Sequence, residues 1–155
     1  ALVDDDGDGQ ALAAIPGVAV HRAGVRGLNE SIGEALLLPG VRSGPVAVLP
    51  ADLPSLQPGD LDAALAAAQA LPLAVVPDRD GTGTTLLAAW RPELLDPHYG
   101  PGSCAAHVQV GAVALAVPAG SGLRRDVDVI ADLRDVTGLR TCAELADRAA
   151  DSAAG

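Results

Sequence analysis

Apolar and polar positions along this chain fall into short blocks, and the period within each block predicts an element. Val46-Ala47-Val48-Leu49 and Leu73-Ala74-Val75-Val76 are unbroken apolar runs with Pro at their borders. Such runs suit parallel strands covered on both faces. Thr85 to Trp90 and Ala112 to Val117 read as further strands, and Val18 to His21 as a short one. Between them apolar residues recur at helical spacing. Ile32, Ala35 and Leu36 mark a helix that opens at Gly27-Leu28-Asn29, with Asn29 as its N-cap, and runs to about Leu38. Pro58 to Ala70 is an amphipathic helix with acidic residues in its first turn. Gln10 to Ile15 forms a short helix ended by Pro16-Gly17, and Ser103 starts another that reaches about Val110. Leu123 to Asp128 is an extended arm, and Asp128 caps a helix to about Thr137. Thr141 and Glu144 form a capping box for a last helix. Strands alternate with helices, which predicts an α/β fold on a mostly parallel sheet flanked by helices. No repeat or linker interrupts the pattern, so the 155 residues read as a single domain.

Composition narrows the partners. Hydrophobic residues make up 49% of the chain, too many for disorder, and aromatics 1%, so the core is built from Ala, Val and Leu. The net charge of −10 argues against nucleic acid or an anionic membrane as partner, since both need neutralising cations. A phosphorylated small molecule is still compatible if a divalent cation accompanies it. No apolar stretch approaches the roughly 18 residues of a membrane span. No basic-then-apolar leader is visible, which points to the cytoplasm. The two Cys, Cys104 and Cys142, make no framework and read as small apolar side chains in a reducing compartment. Asp4, Asp5, Asp6 and Asp8 lack the later Glu of a calcium loop and read as a solvated loop.

Candidate chemistry gathers at strand ends, where open α/β sheets bind ligands. Asp52 follows the Val46–Leu49 run, between Pro50 and Pro54. A carboxylate fixed there can hold a hard cation, or it can simply form the turn. In an extended Asp126-Val127-Asp128 the two acids point opposite ways, which leaves Asp126 for the cleft if Asp128 caps the helix. Magnesium takes one or two carboxylates and completes its shell with phosphates and water, which two such Asp would satisfy. The alternative is a pair of solvated acids beside Arg124 and Arg125. Gly81-Thr82-Gly83-Thr84-Thr85 offers backbone amides and hydroxyls to an anion, although hairpin turns use the same residues. Gly100-Pro101-Gly102-Ser103 permits close approach and opens a helix whose free amides form an anion site. His107, one turn on, either supports that site by packing or donates to a phosphate. His21 and His98 read as surface residues. No nucleophile elbow, Walker loop or zinc pattern is present.

The segments "VLPADLPSL", "PDRDGTGTTLLAA", "HYGPGSCAAH" and "GLRRDVDVIADL" together resemble the guanylyltransferases of coenzyme F-420 synthesis, over about Gly27 to Gly138. The resemblance implies a MobA-like, GT-A-type nucleotidyltransferase fold. It implies transfer of GMP from GTP to phosphoenolpyruvate or 2-phospho-L-lactate, with release of pyrophosphate. Asp52 and Asp126 would then be the catalytic, magnesium-holding carboxylates. Thr84, Gly100 and Ser103 would contact the phosphorylated three-carbon acid, and Gly27, Leu28 and Asn29 would lie against the guanosine. The chain departs from the family's pattern at its start, where members carry a strand and a loop bearing Lys and Arg. All ten basic residues here are Arg, and none precedes the acidic stretch. The expectation is a piece lacking its first βα unit, with weak GTP binding and little turnover by itself. A related nucleotidyltransferase with another base or acceptor, and a non-catalytic metabolite-binding remnant, are the alternatives. Oligomeric state is not legible.

Overall fold

The computed structural model describes residues 1–3 and 6–127. Six strands and four helices follow one another along them, alternating except where the fifth strand directly follows the fourth. They are β1 Leu2–Val3, α1 Asp6–Ala13, β2 His21–Arg22, α2 Leu28–Leu36, β3 Val46–Val48, α3 Pro58–Ala68, β4 Leu73–Pro77, β5 Thr84–Ala89, α4 Ser103–Gln109 and β6 Val113–Ala114. Short 3-10 turns lie at Pro92–Leu94 and Gly122–Arg124. The helices and capping residues expected beyond Asp128, including Thr141 and Glu144, fall outside the described residues.

The main sheet has the order β3-β5-β4-β6, and β1 pairs with β2 in parallel beside it. The strands of the main sheet run mostly in parallel, as expected, with one exception. β3, β4 and β6 run in one direction, but β5 is inserted between β3 and β4 and runs against both. The cause is loop length. Only six residues, 78–83, separate β4 from β5. That is enough for a hairpin, whereas a parallel return needs a crossover of a dozen or more.

Side-chain alternation along the two central strands divides the core. Leu73 and Val75 of β4 join Leu87 and Ala89 of β5 on one face, against Ile32 of α2 and Cys104 of α4. Val76 and Leu86 face the other way, onto Ala64 of α3, Leu53 and Leu123. Ala74 and Ala88 lie against Ala68 on that side. Helices therefore flank the sheet on both faces, and β5 is buried along its whole length. β3 is not the fully buried strand its apolar run predicts. It is the outer strand, with Val46 and Val48 half-buried and Ala47 exposed. β6 is likewise an exposed outer strand and spans only Val113–Ala114.

Two local expectations also change. Gly27, at φ 101°, occupies the N-cap of α2, and Asn29 lies inside the first turn. The arm after Ser121 begins as a 3-10 turn rather than as a strand. Among the described residues no helix is long and apolar enough to cross a membrane.

Candidate active site

The ladder registers pair Val48 with Leu87 and Pro77 with Thr84, so the carboxyl ends of β3 and β4 and the start of β5 share one edge of the sheet. Asp52 follows β3 at that edge and is exposed. The chain returns to the same edge after β6. There Leu123, with 0% exposure, plugs the core between Leu53 and Val76. Burying such a side chain contributes about 1.5–3 kcal/mol, so it anchors the segment that follows.

Residues 122–127 are laced to residues 52–60 at three points. The Val127 N–H donates to the Asp52 carbonyl at 3.1 Å. The Gly122 N–H donates to the Asp60 carboxylate at 3.2 Å. A Cβ on Gly122 would overlap the Ser55 carbonyl, so only Gly permits the two backbones to lie this close. Asp60 also accepts the Gln57 N–H at 3.3 Å, at the N-terminus of α3. The lacing sets Asp126, half-buried, one residue from the bond to Asp52. Sequence spacing suggested the two aspartates but not the lacing, because Asp60 lies outside the quoted segments and Gly122, which opens one of them, has no side chain to signal a contact.

The adjoining loop is held from inside and from behind. The Asp78 carboxylate accepts the Thr82 N–H at 2.9 Å and the Gly83 N–H at 2.7 Å. Arg124 donates through Nε and Nη2 to the Asp78 carbonyl, at 3.1 and 2.7 Å, and through Nε to the Pro77 carbonyl at 3.2 Å. The arm carrying Asp126 therefore also clamps the turn that presents Thr84. Asp78 and Arg124 were not among the expected site residues. Their signal was an Asp opening a Gly-rich turn, which commonly caps its own backbone.

Thr84 and Ser103, proposed on separate motifs, meet. Ser103 Oγ donates to Thr84 Oγ1 at 3.1 Å, and both residues are buried. His107 Nδ1 lies 2.9 Å from the same Thr84 oxygen, and the His98 N–H donates to His107 Nε2 at 2.9 Å. His107 supports the site rather than lining the surface. Burial, then neighbouring His98, pushes its pKa below the usual 6.5, and Asp96 opposes them more weakly. His98 is exposed, as expected, and pairs with Asp96 at 2.9 Å; His21 is half-buried and pairs with Glu34 at 3.3 Å.

The helix-terminus idea fares worse. The Ser103 N–H is committed to the Gly100 carbonyl at 3.0 Å and the Cys104 N–H to Thr82 at 3.1 Å, so these first-turn amides of α4 are not free for an anion. Gly100 is exposed, at φ 140°, where a side chain would be strained. Cys104 is buried. Its pKa is raised, first by burial and then by Asp78, so the thiol stays neutral.

Gly27 and Leu28 line a cleft of about 1040 Å³ together with Arg22, Arg26, Ser31 and Ala51, the neighbour of Asp52. Asn29 does not line it. Its side-chain amide donates to the Tyr99 carbonyl at 3.0 Å and accepts the Tyr99 N–H at 2.7 Å. It ties α2 to the loop preceding Gly100. Tyr99 in turn packs edge-on to His107, with ring centroids 5.2 Å apart, and burial raises its pKa above the usual phenol value.

Two aspartates on hydrogen-bonded segments, a buried hydroxyl cluster and an adjoining cleft lie near one another at the strand ends of an α/β fold. The family follows from comparison. The model of the family described as "Guanylyl transferase CofC like" matches residues 11–116, and the chain belongs to that family. It is 54% identical over 103 residues to a phosphoenolpyruvate guanylyltransferase of Sanguibacter keddieii, covering 64% of this chain and 36% of the relative. Proteins of the same name from Streptomyces scabiei and Streptomyces coelicolor are 48% and 41% identical, over 73% and 89% of this chain and 53% and 66% of their own lengths. The chain thus spans from about a third to two thirds of these relatives.

Proposed function

We propose that this chain forms the metal- and acceptor-binding part of a magnesium-dependent guanylyltransferase. It moves GMP from GTP to phosphoenolpyruvate or 2-phospho-L-lactate and releases pyrophosphate, in the cytoplasm, toward coenzyme F-420. The observation that carries the reading is the Val127-to-Asp52 hydrogen bond, which holds the Asp126 arm against the end of β3. Family membership and the names of the relatives support the choice of chemistry.

The donor set fits magnesium. Asp52 and Asp126 are hard oxygen donors on segments joined by the Val127-to-Asp52 hydrogen bond, and magnesium takes one or two such carboxylates. When bound, the ion would neutralise charge on the nucleotide phosphates. The rest of the task is positioning, because phosphoryl-type transfer needs little covalent help from protein. Gly27 and Leu28 present an apolar wall to the guanine, and Asn29 holds the acceptor loop to that wall through Tyr99. Thr84, Ser103 and Gly100 hold the acid so that its phosphate oxygen faces the α-phosphorus. That oxygen forms the new P–O bond as the bond to pyrophosphate breaks.

Radiolabelled GTP, ATP and CTP tested against phosphoenolpyruvate, 2-phospho-L-lactate and 3-phosphoglycerate examine this reading. GMP transfer to one of the first two acids is expected. Transfer of another base, or onto the phosphoglycerate alone, would replace it.

A further inference from the structure

His107 sits in α4 with 0% exposure, and both of its ring nitrogens are engaged. The His98 backbone N–H, 2.9 Å from Nε2, has only a proton to offer, so Nε2 accepts and carries no hydrogen. The neutral ring then bears its proton on Nδ1, which faces Thr84 Oγ1 at 2.9 Å. Nδ1–H donates and Thr84 accepts. Ser103 Oγ–H donates to the same oxygen at 3.1 Å. A hydroxyl oxygen has two lone pairs and one proton. With both lone pairs taken, the Thr84 hydroxyl retains its own proton and has no protein acceptor among the described residues.

We infer that His107 is a positioning residue, which fixes Thr84 as an obligate hydrogen-bond donor to an anionic oxygen of the acceptor acid. A freely turning hydroxyl presents a lone pair to a ligand as readily as a proton, and a lone pair repels an anion. The imidazole removes that choice. The frame around it serves the same end: Tyr99 packs edge-on against the ring, and Asn29 fixes Tyr99. The identity of the anion rests on the guanylyl-transfer reading. The locked hydroxyl rests on the ring tautomer set by His98 and on Ser103 as the donor to Thr84.

Two amide substitutions separate a role through Thr84 from simple bracing of residues 97–99. In His107→Asn the side-chain NH2 falls near the Nδ1 position and keeps the donor to Thr84. In His107→Gln the amide reaches the Nε2 position and keeps the acceptor for His98. Phosphoenolpyruvate is titrated into the full chain and both variants by calorimetry. His107→Asn is expected to bind within about threefold of the parent, and His107→Gln about tenfold or more weaker, the usual effect of losing one hydrogen bond to a charged group. The reverse ranking, or equal losses, would overturn the inference. Absence of binding by the unaltered chain would overturn the acceptor reading instead. A ligand-free check distinguishes the two failures: long-range proton–nitrogen NMR should place the His107 ring proton on Nδ1, and a proton on Nε2 sinks the inference whatever the ligand.

Discussion

At Gly122 a hydrogen atom stands where any side chain would meet the Ser55 carbonyl. Gly122→Ala should therefore separate the arm from residues 52–60 and destabilise the fold by roughly 1–3 kcal/mol, the usual range for overpacking. Urea denaturation of the two proteins measures it, and an unchanged midpoint would show the contact to be slack. His107 gives a second prediction at this scale. Its folded-state pKa lies below the unfolded 6.5, through burial first and His98 second, against Asp96. Above pH 6.5 both states carry the neutral ring. As pH falls, the unfolded chain takes the proton first, so stability drops from 6.5 downward until the folded-state value is passed. Denaturant midpoints between about pH 7.5 and 5 should fall, and His107→Gln should remove that part of the slope. Single residues were unevenly legible. Asp52, Thr84 and Ser103 lie where strand ends and turn chemistry put them. Asn29 was read as the N-cap of α2, but a side chain inside a first turn can equally reach a distant backbone, here that of Tyr99.

The β4–β5 hairpin is the element on which the candidate site turns. Its loop is folded by the Asp78 carboxylate and clamped from outside by Arg124. Asp78→Ala should loosen residues 78–83, cost roughly 1–2 kcal/mol for the two lost backbone bonds, and weaken acceptor binding through Thr84. Amide hydrogen exchange at Thr82 and Gly83 reads the loosening directly; unchanged protection there would contradict it. The apolar runs revealed that β4 and β5 are strands but not their relative direction, since a buried antiparallel strand in mid-sheet looks the same as a parallel one. Loop length held that information. β3 and β6 misled for a related reason: an apolar run records which residues are available for burial, while sheet order decides which strands receive it.

Across the molecule, the separate motifs converge because one strand edge collects β3, β4, β5 and the returning arm. Alternation of strands and helices made the α/β class legible, and the four quoted segments made the family legible. The lacing between residues 52–60 and 121–127 was not, because close backbone approach leaves no sequence mark beyond an ordinary Gly. In the proposed function this lacing brings Asp52 and Asp126 together as the magnesium carboxylates of guanylyl transfer. The most direct test is transfer of labelled GMP from GTP to phosphoenolpyruvate by the protein, with Asp52→Asn and Asp126→Asn compared to the parent over a magnesium titration. Each substitution should lower the rate about 100-fold or more, the scale of losing one electrostatic group from a transfer site, while unfolding midpoints change little. Parent-like, magnesium-dependent rates in both variants would contradict the account.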